Sequence, residues 1–314
     1  MSSAAQPPES NLLVFRGQTM GTTYMAKVAP PHDLPDDFAA EIDAELRRVN
    51  DQMSTYLKSS EITRFNQSTS TDWFSVSPDT AKVVGFAQRV SESTNGAFDI
   101  TVGPLVDAWS FGPGKRKRTI PDDALLTGLW SRMGYEKLSV RQTPPGLRKS
   151  VPDLRIDLSA IAKGHGVDRV VDLLDRFGAQ HVFVEIGGEV RTKGSKAGQP
   201  WRVGIQSPDA AAQQLAIAHT MADQAIATSG DYRNYFTIDG VRYSHTIDPN
   251  TGRPVVHDVA SVSVIAEDCM TADAWATAIN VLGHPRGIEV ASENQLSVLT
   301  FRRVHEDFLA EETG

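Results

Sequence analysis

Two periods of apolar and polar positions run along the chain, and the switch between them marks the elements. Leu12–Arg16 and Tyr24–Val28 alternate as strands and are joined through the Met20-Gly21-Thr22-Thr23 turn. Residues 36 to 50 carry Phe38, Ile42, Leu46 and Val49 at helical spacing, and residues 79 to 93 repeat it with Val83, Phe86 and Val90. Both segments are therefore read as amphipathic helices, with Ser60-Glu61-Ile62-Thr63 between them as a turn into a short helix. Ala97 to Leu105 mixes β-branched residues with breakers and reads as a loop or a short strand at an element end. From Arg155 the pattern predicts a β-to-α unit. Arg155–Leu158 ends a strand, Ser159 caps a helix, Val167, Val170, Val171 and Leu174 form its apolar face, and Gly178 stops it. Strands follow at Val182–Ile186, ending in Gly187-Gly188, and at Trp201–Ile205; Tyr235–Ile238 and Val241–Tyr243 form a hairpin around Asp239-Gly240. Val259–Ile265 is one more strand, and a strong helix runs from Thr271 to Leu282 before Gly283.

At 314 residues the chain is long enough for one large unit or two lobes sharing a core. Its 40% hydrophobic and 22% charged residues fit a globular protein and exclude a disordered or membrane-embedded one. With 31 basic against 39 acidic side chains the net charge is −8, which disfavours nucleic acid and anionic lipid as partners, so phosphate-bearing ligands need a local solution. The single cysteine, Cys269, permits no internal disulfide, and no Cys/His cluster has zinc spacing. No apolar run is long enough for a transmembrane segment, and residues 1 to about 10 read as a loose polar tail. The basic run Lys115-Arg116-Lys117-Arg118 reads as a solvated loop, with a docking surface as the alternative.

Three segments carry chemistry. Asp273 and Thr277 lie four apart and stack on one face of the first turns of the last predicted helix. A carboxylate and a hydroxyl, joined by a backbone carbonyl and phosphate oxygens, suit a hard cation such as Mg²⁺; an acid near a helix start also serves as a dipole partner. The run Asp157 to Gly164 puts an acid at a strand end, amides at a helix start and Lys163 one turn in, an arrangement suited to nucleotide phosphates and sugar hydroxyls. Read alone, Asp157 and Lys163 are equally a cap and a surface charge. His245 leaves a hairpin ahead of the polar turn Asp248-Pro249-Asn250; it is either a proton acceptor near neutral pH or a structural histidine.

Taken in order, Gln18–Tyr24, Met53-Ser54-Thr55-Tyr56, Ala97-Phe98-Asp99, Asp157–Gly164, Ile186-Gly187-Gly188-Glu189, His245–Gly252 and Ala272–Thr277 make the chain resemble the ApbE family, the FAD:protein FMN transferases. The resemblance spans residues 11 to about 285, and its specificity lies in seven segments in one order. It implies an α+β fold of mixed, largely antiparallel sheets with flanking helices, two intertwined lobes enclosing one site over residues 11–300, and a C-terminal extension over 301–314. It implies Mg²⁺-dependent transfer of FMN from FAD to a Thr or Ser hydroxyl of an acceptor flavoprotein subunit through a phosphodiester, with release of AMP. Carried over by motif, the metal ligands are the Ala160 carbonyl, Asp273 and Thr277. Met20, Tyr56, Ala97, Phe98, Asp99, Asp157, Lys163, Gly187, Gly188, His245 and Ile247 line the flavin dinucleotide, while His245, Asp273 and Lys163 serve catalysis. For Met20 and Tyr56, core packing is the competing reading. The resemblance also implies a periplasmic protein, often anchored as a lipoprotein in this family, whose signal is absent from this chain. The rival functions are an FAD pyrophosphatase, which gives FMN and AMP, and a non-catalytic flavin-binding protein, which does not need the Asp273 and Thr277 pair.

Overall fold

β1 (Leu13–Thr19) and β2 (Thr22–Val28) pair through a two-residue loop, Met20-Gly21, in which both φ angles are positive, 49° and 74°. That hand matches the twist of the flanking strands, and it is why a short loop here needs Gly21 and holds Met20 in an unusual backbone state. The computed structural model describes residues 12–29, 33–112, 118–196, 198–208, 215–230, 234–305 and 307–313; the tail expected over residues 1 to 10 and Lys115–Lys117 of the basic run lie outside them. After the first hairpin come α1 (Phe38–Met53), α2 (Glu61–Gln67), β3 (Phe74–Ser75) and α3 (Pro78–Ser93). Next are α4 (Gly103–Ala108), α5 (Asp123–Trp130), β4 (Leu138–Gln142), β5 (Pro145–Lys149) and α6 (Ala162–Arg176). The strand-rich part holds β6 (Val182–Ile186), β7 (Glu189–Lys193), β8 (Trp201–Gln206), β9 (Leu215–Met221), β10 (Ala225–Gly230), β11 (Tyr235–Ile238), β12 (Val241–Ser244), β13 (Ile247–Asp248), β14 (Arg253–Pro254) and β15 (Val259–Ala266). The chain ends with α7 (Cys269–Leu282), α8 (Arg286–Glu293), β16 (Ser297–Val304) and β17 (Asp307–Thr313).

Eight strands form the main sheet in the order β1-β2-β6-β7-β10-β15-β16-β17, with antiparallel pairing throughout. The fold is α+β with antiparallel sheets, as the resemblance implies. On one face α6 lays Val167, Val170, Val171 and Leu174 against Ala26, Val184 and Ile186, while the β8–β9 hairpin covers the other face with Trp201, Val203 and Ile205. α7 is apolar nearly all round and is buried accordingly, with Trp275, Ala276 and Ile279 reaching into a second core shared with α3 and with the small sheet β3-β5-β4. A further cluster ties α4 and α5 to the hairpins β11–β12 and β13–β14 around Trp109, which is 1% exposed. Burying each such large apolar side chain stabilises the fold by roughly 1.5–3 kcal/mol.

Four expectations differ from the structure. Of the two readings of residues 97 to 105 the loop holds as far as Val102 and the strand does not form; the chain then enters α4, which was not expected, at Gly103. Residues 154 to 158 belong to no strand among the described residues, and α6 begins only at Ala162, because Ser159 donates to Asp157 instead of capping the helix. α7 begins at Cys269, two residues before Thr271, because Asp268 accepts the Thr271 N–H at 2.7 Å and so sets the cap earlier. The polar C-terminus is no appended extension: β17 pairs with β16 along its length and forms an edge of the main sheet.

Candidate functional site

Two glycine-bearing loops lie side by side at one end of the main sheet. Met20-Gly21 closes β1–β2, and Gly187-Gly188 closes β6–β7 with φ of 63° and 111°. The strands between them are neighbours, so Gly187 N–H donates to the Thr23 carbonyl at 3.1 Å. A Cβ on Gly187 would stand 2.9 Å from the Thr22 methyl, which explains why this approach requires glycine. Met20 folds from its strained position toward α6, where a Cβ on Gly166 would meet its methyl at 2.8 Å.

Above these loops opens a cavity of about 660 Å³ lined by Met20, Asn50, Tyr56, Ser159, Ala162 and Lys163, among others. Tyr56 stands at its rim, 72% exposed, on a turn in which Ser54 Oγ accepts the Tyr56 and Leu57 N–H groups at 3.1 and 3.2 Å. Core packing is thereby excluded for Tyr56. Its ring is free to stack on a planar ligand. Thr55 also lines a neighbouring cavity with Asp157, Asn66 and Arg155, so Asp157 lies in the cavity that adjoins the cleft at that turn. Asp157 is held twice: its N–H donates to Ile100 O at 2.7 Å, and its Oδ1 accepts from Ser159 N–H at 2.8 Å.

The start of α6, which lines the cleft, packs against α7. Gly164, in the first turn of α6, donates its N–H to Asp273 Oδ2 at 2.9 Å. A Cβ on Gly164 would come within 2.2 Å of the Cys269 carbonyl and 2.8 Å of Asp273 Cβ, so only glycine lets α7 approach this closely. The dipole-partner reading of Asp273 fails on this geometry: the first amides of α7 are taken by Asp268 and by Asp168 of α6, whose oxygens accept Cys269 and Met270 N–H at 2.9 Å each. Asp273 instead turns to the start of α6. It is 5% exposed, burial pushes its carboxyl above the usual range with the Lys163 charge opposing, and among the described residues no protein donor reaches its Oδ1.

Lys163 ion-pairs with Glu189, the first residue of β7. Burial alone would lower the ammonium, but the carboxylates of Asp273 and Glu189 outweigh it and hold Lys163 above the ordinary lysine range. Glu189 is 3% exposed and its Oε2 has no hydrogen-bond partner among the described residues. By its chemistry, the donor set expected around Asp273 fits a hard cation. Its free carboxylate oxygen, the half-buried Thr277 hydroxyl one turn on and the backbone of the half-buried Ala160 offer oxygen alone. Among the described residues no three His, Cys, Asp or Glu side chains gather as a cage, so such a cation would complete its shell from water and substrate.

Thr246, the residue after His245, is tied to α7. Asn280 follows Asp273 and Thr277 on the same helical face, and its Nδ2 donates to Ser229 Oγ at 3.1 Å and to Thr246 Oγ1 at 3.4 Å. The imidazole Nδ1 lies 3.1 Å from the Asn234 carbonyl, an oxygen that can only accept, so Nδ1 carries the proton and Nε2 holds the lone pair in the neutral ring. Behind the ring stands an aromatic row: Phe111 edge-on to His245 at 6.3 Å, then Phe236, Tyr243 and Trp109 stacked at 5.2 to 5.6 Å. Indole N–H groups of Trp109 and Trp130 fasten the following turn through Gly252 O and Pro249 O, at 2.8 and 3.1 Å.

Met20, Tyr56 and Lys163 thus line one cleft, Asp157 lines the adjoining cavity, the Gly187-Gly188 loop lies beside Met20-Gly21, and Asp273 is tied to the start of α6 through Gly164. Ala97, Phe98 and Ile247 are 2–5% exposed, with Phe98 and Ile247 in apolar clusters, so a ligand contact there falls to the backbone. Asp99 accepts Thr101 N–H at 2.7 Å and Tyr135 N–H at 2.9 Å and faces a separate 400 Å³ cavity with Tyr135, Pro249 and Asn250. Burial pushes its carboxyl up against those two donors. Sequence reasoning assigned no role to Asp168, Glu189 or Asn280; Asn280 was within reach, being seven residues after Asp273 in a helical pattern.

A model of the ApbE family matches residues 20–300. The FAD:protein FMN transferase of Vibrio cholerae is 48% identical over 295 residues, covering 93% of this chain and 88% of that protein. The one of Haemophilus influenzae is 39% identical over 322 residues, covering 100% and 93%. Among solved structures, the flavin transferase ApbE from Vibrio cholerae superposes with a TM-score of 0.88 at 45% identity, covering 96% of this chain and 97% of that one. The apo flavinyl transferase ApbE of Pseudomonas stutzeri does so at 0.88 and 35%, covering 96% and 94%.

Proposed function

The chain belongs to the ApbE family, and on that premise we infer that it is an FAD:protein FMN transferase that moves the FMN half of FAD onto a Thr or Ser hydroxyl of an acceptor protein. The observation that carries this reading is the Gly164 to Asp273 contact, 2.9 Å, next in sequence to Lys163 of the cleft that Tyr56 also lines. It supports one site for a diphosphate and its counter-charges, beside a surface open to a flat ring. The Ala160 carbonyl, Asp273 and Thr277 would hold Mg²⁺, which when bound supplies charge neutralisation to the phosphate oxygens.

The protein's own groups do the rest. Lys163 offers a fixed positive charge at the cavity wall, and Tyr56 and Met20 grip the ring system by stacking and sulfur contact. The acceptor hydroxyl oxygen attacks the FMN-side phosphorus, a phosphorus–oxygen bond forms, the bridging phosphorus–oxygen bond breaks and AMP leaves. The hydroxyl proton goes to His245 Nε2, the lone-pair nitrogen left by the Nδ1–H bond to Asn234 O. Holding both reactants in line accounts for the larger share of the acceleration, because little covalent work falls to side chains.

Incubation with FAD, Mg²⁺ and a threonine-bearing acceptor should yield AMP and protein-bound FMN in equal amounts by mass spectrometry. AMP matched instead by free FMN would establish hydrolysis and end the transfer reading. His245→Asn should keep FAD affinity and lower kcat by about 10²- to 10⁴-fold. Family membership further supports a periplasmic site of action for this chain; recovery of the native protein in the cytoplasmic fraction of its host would refute that. No helix among the described residues is long and apolar enough to cross a membrane.

A further inference from the structure

Glu189 pairs with Lys163 of the cleft wall, yet the reaction above gives it no task. It follows the Gly187-Gly188 loop, its Oε1 meets the Lys163 ammonium, and its Oε2 is buried without a partner among the described residues. A buried pair with an unsatisfied oxygen adds little net stability, because desolvation cancels most of the attraction. The arrangement therefore calls for another explanation.

Lys163 has two carboxylates within electrostatic reach, Asp273 and Glu189, and its hydrogen bond goes to Glu189. Gly164 N–H occupies Asp273 Oδ2, so Oδ1 is the oxygen for which an ammonium and a metal ion would compete. The Lys163 stem is long and its side chain is 31% exposed, whereas Glu189 is fixed at the head of a strand with 4% of its side chain exposed. The rigid partner sets where the flexible one rests.

We propose that Glu189 is a positioning residue that holds the Lys163 ammonium off Asp273 and so keeps Asp273 Oδ1 open to a divalent cation. The proposal rests on the metal reading of Asp273. Without the Glu189 charge, Lys163 turns to the remaining carboxylate and occupies the oxygen the cation needs.

The test uses Mn²⁺ as the probe, its binding to the purified full chain followed by electron paramagnetic resonance and its displacement by Mg²⁺. Asp273→Ala should abolish the site. The near-isosteric Glu189→Gln should weaken Mn²⁺ by about 10- to 100-fold, the range for losing a group that orients a ligand. Lys163→Met should bind Mn²⁺ at least as well as the wild type, and Glu189→Gln combined with Lys163→Met should recover wild-type affinity. That recovery separates the proposal from misfolding, since a second substitution does not repair a collapsed site by removing a charge. Wild-type affinity in Glu189→Gln, or a double variant as weak as Glu189→Gln, overturns the proposal while leaving the metal reading intact. Equal Mn²⁺ binding by the wild type and Asp273→Ala overturns the metal reading, and the proposal with it.

Discussion

The starts of α6 and α7 pack against each other yet are finished in opposite ways. α7 opens with its amides saturated by side chains: Asp268 takes Thr271 N–H, and Asp168 takes those of Cys269 and Met270. α6 opens at Ile161 with no cap from its own N-cap side chain: Ala162 N–H goes to Leu158 O and Gly164 N–H to Asp273, which leaves the Lys163 N–H without a protein acceptor among the described residues, and Ala162 and Lys163 line the cleft. A helix start bound by its neighbour is fixed in place, whereas one left open presents its donors and positive dipole end to an anion. The helix held by Asp268 and Asp168 therefore presents Asp273 from a set position, and the start of α6, held in part by that same Asp273, lines the cleft proposed for the diphosphate.

The difference can be broken most severely at Asp168. Asp168→Ala removes the acceptor of two buried amides and strands Arg191, which pairs with it at 2.8 Å. Urea unfolding at pH 7 should show a loss of about 3–5 kcal/mol; a loss below about 1 kcal/mol would mean that α7 is anchored elsewhere. A second handle is His165 in the first turn of α6, whose Nε2 is buried without a partner among the described residues and whose pKa burial lowers from 6.5 to about 4. The neutral ring is favoured in the folded state, so its contribution is fully present above pH 6.5 and is lost as the pH falls to 4. Linkage puts that loss at about 3 kcal/mol. Unfolding curves at pH 7 and pH 4 should show this component in the wild type and not in His165→Gln, and identical slopes would refute it.

Gly164→Ala sharpens the comparison by forcing the two starts apart. A methyl 2.2 Å from the Cys269 carbonyl must displace backbone, at about 1–3 kcal/mol. FMN transfer should fall far more than stability does, because the Asp273 contact is lost; a fully active variant would show that the close approach is dispensable. The smallest effect belongs to Asp268→Ala, a lost cap of about 1 kcal/mol, read as a small drop in the urea midpoint with catalysis retained.

Much of this was legible in the sequence. α1, α3, α6 and the first hairpin follow from apolar spacing, since each buries one face and the period survives in the residues. The pairing of Asp273 with Thr277 was legible for the same reason, being a consequence of helical geometry alone. What stayed hidden is long-range. Ser159 has the chemistry of a cap, but Asp157, two residues away, claims its N–H and hydroxyl, so the helix starts later. Cys269 reads as a residue before a helix because its amide is held by Asp168, 101 positions earlier in the chain. β17 carries Asp307, Glu311 and Glu312, the charged surface of an edge strand, and only its pairing with β16 makes it recognisable as a strand. The roles of Glu189 and Lys163 toward one another join a strand head to a helix start, and no local pattern contains both.

Burying the sole thiol of the protein at the seam of these helices has a practical result. Cys269 is 0% exposed and burial drives its thiol well above the ordinary range, so a disulfide-forming reagent attacks it only after α7 lifts from α6. The labelling rate of the unmodified chain is thus a clock for that opening, and its slowing by substrate would time how tightly the seam is shut during turnover.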